Sequence, residues 1–192
     1  MRYLIVCGGK IDKEFGLNEI KTDGIDAIIA ADSGMDFLYE NGVTPDIIVG
    51  DFDSATTKSL EYFERKGQTE IHRLNPIKDD TDTEYAIRLA IREGARSIVL
   101  LGATGSRIDH VLGNISLLGI GLESGTDISI IDTNNRIRMA DRPITIEKSA
   151  QYGRFVSLIA VTDDNEVSLR GFKYPVTDYS FDRFTSLGIS NE

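Results

Sequence analysis

The stretch IIVGDFDSAT, residues 47 to 56, sets a short apolar run directly against a glycine and two aspartates. Ile47, Ile48 and Val49 are all β-branched, so the run reads as a strand buried on both faces, the situation of a parallel sheet covered by helices. The polar residues that follow then lie at the strand's carboxyl end, where open α/β sheets receive their ligands.

The same pattern repeats on both sides. RYLIVCG (2–8), DAIIAADSG (26–34), EIHRL (70–74), SIVLLGATGS (97–106) and DISIIDT (127–133) are strand-like runs that end in polar or small residues. Between them, 34–42, 56–67, 78–94 and 108–125 carry apolar residues at helical spacing and close on glycine. Thr81 followed by Glu84 has the spacing of a capping box and predicts a helix start there. The expected fold is therefore α/β: a mostly parallel sheet with helices on both faces. Beyond about residue 133 the texture changes to short strand-like runs separated by turn residues, which predicts a smaller all-β domain.

At 192 residues and 41% hydrophobic, the chain can bury one substantial core with a smaller companion. The net charge is −10, with 31 acidic against 21 basic residues, which excludes a field that attracts a nucleic-acid backbone. No apolar stretch reaches the roughly 20 residues of a membrane span, and a signal-peptide pattern is lacking at the N-terminus. The single cysteine, Cys7, lies in an apolar run and is expected to be a buried thiol of a reducing compartment. These features predict a soluble cytoplasmic protein without nucleic-acid or membrane partners.

Four loops after predicted strands carry the chemistry: ADSG (31–34), GDFDS (50–54), KDDTD (78–82) and GATGSRIDH (102–110). Asp51 and Asp53 alternate across Phe52, so both carboxylates can face one side while Phe52 turns back into the protein. Asp79, Asp80 and Asp82 add acid at a helix start, where backbone N–H groups favour negative charge. Any one of these aspartates alone reads as a turn or helix cap. Asp51, Asp53 and Asp82 together, each beyond a predicted strand, read as a cation site. Oxygen-only donors point to Mg²⁺, or to Mn²⁺, rather than zinc. Such an ion takes its remaining ligands from substrate phosphates, which lets an acidic protein hold a polyphosphate. In the last loop Gly102 and Gly105 allow close backbone approach, Thr104 and Ser106 offer hydroxyls, and Arg107 can fork onto phosphate oxygens. His72 reads as structural, and His110 beside Asp109 as a nucleotide contact or proton carrier. No arrangement for covalent catalysis stands out.

In this order and on this architecture, ADSG, GDFDS, KDDTDTE, GATGSRIDH and the terminal SLGISNE resemble the thiamine pyrophosphokinase family over the whole chain. The resemblance implies an α/β nucleotide-binding catalytic domain over 1–133 and a β-sandwich domain over 134–192 that binds thiamine and makes a homodimer. It implies transfer of the pyrophosphoryl group of ATP to the thiamine hydroxyl, giving thiamine diphosphate and AMP. Carried over by motif, Asp51, Asp53 and Asp82 are the catalytic and metal-holding carboxylates, with Asp32 a supporting member. Asp32, Ser33, Lys78, Thr104, Gly105, Arg107, Asp109 and His110 match the nucleotide side, and Asp82, Ser190 and Asn191 the thiamine side. The family pattern continues beyond SNE, whereas this chain stops at Glu192, so the second domain is expected to be short or cut at its C-terminus.

Two other readings compete. A Mn²⁺-dependent phosphoesterase would use the same acidic strand ends but calls for more histidine ligands than the two present. A non-catalytic nucleotide-binding module would bind nucleotide without releasing AMP.

Overall fold

The computed structural model describes residues 1–53, 55–75, 80–163 and 165–192. Seven strands form one sheet: β1 (Arg2–Val6), β2 (Ala27–Ala31), β3 (Ile47–Gly50), β4 (Glu70–Arg73), β5 (Ser97–Leu101), β6 (Asp127–Ile131) and β7 (Arg136–Arg138). Their order across the sheet is β4-β3-β2-β1-β5-β6-β7, with the first six parallel and β7 antiparallel to β6. Five helices connect them: α1 (Lys13–Ile20), α2 (Gly34–Glu40), α3 (Thr57–Lys66), α4 (Asp82–Arg92) and α5 (Ile108–Ser124).

Strand alternation sends side chains into two separate cores, one on each face of the sheet. Tyr3, Ile5, Cys7 and Ile29 point to the face covered by α4 and α5, where they meet Ala86, Ile87, Leu89, Ala90 and Leu118. Leu4, Val6, Ala30 and Ile48 point to the other face and meet Met35 and Leu38 of α2 and Phe63 of α3, with Phe15 of α1 packed alongside. Both faces are thus sealed, as the apolar runs predict.

The helix α1 has no counterpart in the sequence reading. Its eight residues, KEFGLNEI, carry a glycine in mid-helix and no sustained apolar period, so local propensity is weak. Tertiary packing supplies the reason instead: Gly16 is buried where a Cβ would lie 2.6 Å from Ile11 and 2.7 Å from Phe37. Asp12 caps the helix by accepting from Phe15 N–H at 2.9 Å. Thr81 caps α4 at the position read, its Oγ1 accepting from Glu84 N–H at 3.2 Å, while the Glu84 carboxylate pairs with Arg88.

The chain divides into two compact units, Met1–Ile144 and Thr145–Glu192. The first extends past residue 133 because β7 continues the large sheet as an antiparallel edge strand. The second unit holds β8 (Asn165–Leu169) paired antiparallel with β9 (Val176–Phe181), a short 3₁₀ turn at Lys148–Ala150, and an isolated bridge between Val156 and Asn191. Among the described residues no helix is long and apolar enough to cross a membrane.

Candidate functional site

The strand order reverses between β1 and β5, because the chain first runs outward through β2, β3 and β4 and then returns to the other side of β1. That switch point opens a crevice at the carboxyl ends of the strands. The loops after β1 and β5 meet across it: Cys7 N–H donates to Leu101 O at 2.7 Å and Gly9 N–H to Gly102 O at 2.8 Å. Gly9 allows this approach, since a Cβ there would sit 2.3 Å from Gly102 O and 2.5 Å from Thr104 O. Gly105 lies on the same side, 3.8 Å from Gly9 Cα when a Cβ is built on it.

Sequence reading did not single out the Gly8-Gly9 pair. A Gly-Gly step directly after the first strand was the available sign, and only the strand order turns it into a site.

One carboxylate oxygen from each of Asp32, Asp51 and Asp53 lies within 4.8 Å of the others. Asp32 follows β2 and Asp51 follows the neighbouring β3, and Asp32 N–H donates to Val49 O at 2.7 Å, which fixes the two strand ends side by side. Asp32 and Phe52 both adopt left-handed backbone, at φ 48° and 64°. Left-handed backbone is rare outside glycine and costs of order 1–3 kcal/mol where it occurs. Phe52 packs back against the core under α2 and α3, as expected, while Asp53 N–H donates to Asp51 Oδ1 at 3.2 Å. Three hard oxygen donors gathered this closely could close on a divalent cation such as Mg²⁺.

Asp82 stands in the first turn of α4, which packs on β1, β2 and β3 with its N-terminus at the same end of the sheet. Thr83, next along, donates from Oγ1 to Cys7 Sγ at 3.7 Å. The described carboxylate cluster therefore gathers Asp51 and Asp53 with Asp32, and Asp82 is not among its three members. The expected phosphate contact Lys78 lies outside the described residues.

The nucleotide-side residues divide by how firmly they are held. Ser33 begins α2, with Oγ 2.1 Å from the place a Cβ of Gly8 would take. Thr104 Oγ1 donates to Asp132 Oδ2 at 2.9 Å. Asp132, just past β6, also accepts from Asn134 N–H and Asn135 N–H, both at 2.8 Å. Burial pushes its carboxyl up, but these donors outweigh burial and hold it below the ordinary carboxylate range. Asp132 is a second residue that sequence reading passed over, although it too follows a strand. Arg107 stands just before α5 and forks onto Asp109, with Nη2 to Oδ2 at 2.7 Å and Nε to Oδ1 at 3.3 Å. The guanidinium holds the Asp109 carboxyl below its ordinary value. Both side chains are about two-thirds exposed, so the pair is weak and the fork is open to exchange for a phosphate. His110 is exposed beside them. His72 is structural as read, its ring between Glu70 at 2.6 Å and the Tyr85 hydroxyl at 3.2 Å.

In the second unit Ser190 is left-handed at φ 61° and donates its N–H to Ser157 Oγ at 3.0 Å. Asn191 is buried, and its amide grips the Tyr174 backbone through Nδ2 to O at 2.8 Å and N–H to Oδ1 at 3.0 Å. Asn191 therefore holds the segment that presents Ser190.

Cys7, just past β1, is buried in the core, which pushes its thiol up to about 11 from an ordinary 9.0. The neutral thiol is no nucleophile at physiological pH. The folded protein holds this proton more tightly than the unfolded chain, so its share of stability is intact below pH 9 and falls as pH rises from 9 to 11. The loss should reach about 2.7 kcal/mol. Urea denaturation across that range should show a steeper decline for the wild type than for Cys7→Ala; parallel curves would refute the assignment.

Residues 21–130 match the family model for the thiamin pyrophosphokinase catalytic domain, and residues 143–192 match that for the thiamin pyrophosphokinase vitamin B1 binding domain. The chain is 36% identical over 166 residues to thiamine pyrophosphokinase of Bacillus subtilis (strain 168), covering 85% of this chain and 77% of that protein. The crystal structure of thiamine pyrophosphokinase from Bacillus subtilis superposes with a TM-score of 0.87 at 33% identity, covering 100% of this chain and 89% of that one. That of thiamin pyrophosphokinase from Geobacillus thermodenitrificans gives 0.82 at 30% identity, covering 100% and 88%.

Proposed function

Because this chain belongs to the thiamin pyrophosphokinase family, we propose that it moves the pyrophosphoryl group of ATP to the hydroxyl of thiamine, yielding thiamine diphosphate and AMP. The observation that carries the reading onto particular residues is the convergence of Asp32, Asp51 and Asp53 beside the β1/β5 crevice.

Pyrophosphoryl transfer asks a protein for positioning and charge neutralisation. Asp51 and Asp53, with Asp32 in support, would hold Mg²⁺, or Mn²⁺ in its place. The bound ion supplies charge neutralisation and orientation of the triphosphate. Thr104, Gly105 and the backbone around Gly9 line the crevice that receives the nucleotide, and Thr104 is aimed by its bond to Asp132. Ser33 borders the crevice beside Gly8. Arg107 leaves Asp109 to fork onto phosphate oxygens, with His110 alongside, and Lys78 adds a cation. Asp82, on the first turn of α4, is assigned to thiamine, as are Ser190 and Asn191 of the second domain.

A homodimer is the proposed assembly. The second unit leaves Ile159 73% and Phe184 91% exposed, apolar surface that a partner subunit would cover. The cytoplasm is the proposed compartment, in keeping with a lone, buried, reduced cysteine.

The test is to mix the protein with thiamine, ATP and Mg²⁺ and follow thiamine diphosphate and AMP together, with EDTA and thiamine-free controls. Equal yields that require both thiamine and metal are expected. AMP or phosphate released without thiamine diphosphate would replace the reading with a hydrolase.

A further inference from the structure

The acidic cluster depends on a loop whose central residue is strained. Phe52 separates Asp51 from Asp53 with a left-handed backbone, which a bulky residue holds only where its surroundings over-determine it. Three features do so. The Arg73 guanidinium lies over the Phe52 ring at 5.4 Å. Arg73 is itself held by an ion pair with Glu64 of α3. Behind the ring, Gly50 leaves just enough room: a Cβ there would lie 3.1 Å from both Phe52 Cε1 and Asp32 Cα. The register places Arg73 opposite Gly50, and Leu74 N–H donates to Gly50 O at 2.9 Å, so the stacking residue and the loop root move as one.

Arg73 carries positive charge at the carboxyl edge of the sheet, one strand from Asp51, with its guanidinium over Phe52 and paired with Glu64. A guanidinium stacked on an aromatic face fixes the ring as an ammonium does not, because the planar cation matches the ring's face.

We propose that Phe52 and Arg73 are positioning residues for the divalent cation: their stack clamps the turn that turns Asp51 and Asp53 toward Asp32. The proposal rests on the reading of those three carboxylates as the cation site. Removing the stack frees the turn to relax toward extended backbone, which spreads the ligands.

The test is Mn²⁺ binding to the full chain, followed by the electron paramagnetic resonance signal of free Mn²⁺, with melting measured in EDTA. Arg73→Ala and Phe52→Leu should each weaken Mn²⁺ about tenfold or more, the scale of losing a group that orients a ligand. Phe52→Tyr, which keeps the ring face, should bind as the wild type does. The double variant should be no weaker than the poorer single one, since the two act as a unit. In the transfer assay, run at a temperature where melting in EDTA shows the metal-free variant folded, excess Mn²⁺ should restore the turnover of Arg73→Ala, which separates ligand positioning from lost fold. Wild-type affinity in Arg73→Ala overturns the clamp. If instead wild type and Asp51→Asn take up Mn²⁺ equally, the cation site itself is misread and the clamp falls with it.

Discussion

Asp51→Asn should abolish thiamine diphosphate formation while leaving the fold intact. The asparagine keeps an Oδ1 acceptor for Asp53 N–H, the 3.2 Å bond that shapes the turn, and removes only the charge. The loss in kcat should be about a thousandfold, equivalent to about 4 kcal/mol of transition-state stabilisation from a fully held cation. Stability supplies a second reading of opposite sign. Without metal, three carboxylates with oxygens within 4.8 Å repel one another, so neutralising one should leave melting in EDTA unchanged or raised. With metal the order should invert: a ligand at a hundred times its Kd adds about 2.7 kcal/mol to the wild type, and the variant loses that gain. Turnover within tenfold of wild type would remove Asp51 from the site. A drop in melting temperature in EDTA would make it a structural residue instead.

The parts of this molecule legible in its sequence are those where local chemistry and tertiary role agree. Ile47-Ile48-Val49 could hardly be anything but a buried strand, and Thr81 with Glu84 marks a helix start by a local hydrogen bond that needs no distant partner. The helix α1 was illegible because Gly16 fits under Ile11 and Phe37, and Phe37 belongs to α2, a strand further along the chain. The cation site divides in the same way. Asp51 and Asp53 declare themselves by alternating across one residue, but Asp32 joins them through strand order, being a full helix and strand earlier in the chain. Asp82 reads as their equal in sequence, since it too follows a strand, and it opens α4 directly after the Thr81 cap, outside the described trio. Asp132 was hidden for a different reason: its partner Thr104 is 28 residues away, and an aspartate before Thr-Asn-Asn reads as an ordinary turn.

Gly9→Ala should damage stability and nucleotide use together, because the same contact serves both. The added methyl would lie 2.3 Å from Gly102 O and 2.5 Å from Thr104 O, and both obstacles are backbone that cannot rotate away. The β1 and β5 loops would have to part by nearly an ångström, which breaks the 2.8 Å bond from Gly9 N–H to Gly102 O. Overpacking of about 1–3 kcal/mol and a lost hydrogen bond of about 1 kcal/mol together predict a destabilisation of roughly 2–4 kcal/mol. Parting the loops also moves Thr104 from its bond with Asp132, so the KM for ATP should rise by more than the KM for thiamine. Gly113 provides the contrast. It lies on the exposed face of α5, where an added Cβ would meet nothing within 4 Å, so Gly113→Ala should stabilise by about 0.5–1 kcal/mol and leave both KM values alone. If Gly9→Ala melts like Gly113→Ala and keeps its KM for ATP, the nucleotide does not use the β1/β5 crevice. A shift confined to ATP, in a protein that still folds, would tie the switch point of the sheet to the donor half of the reaction.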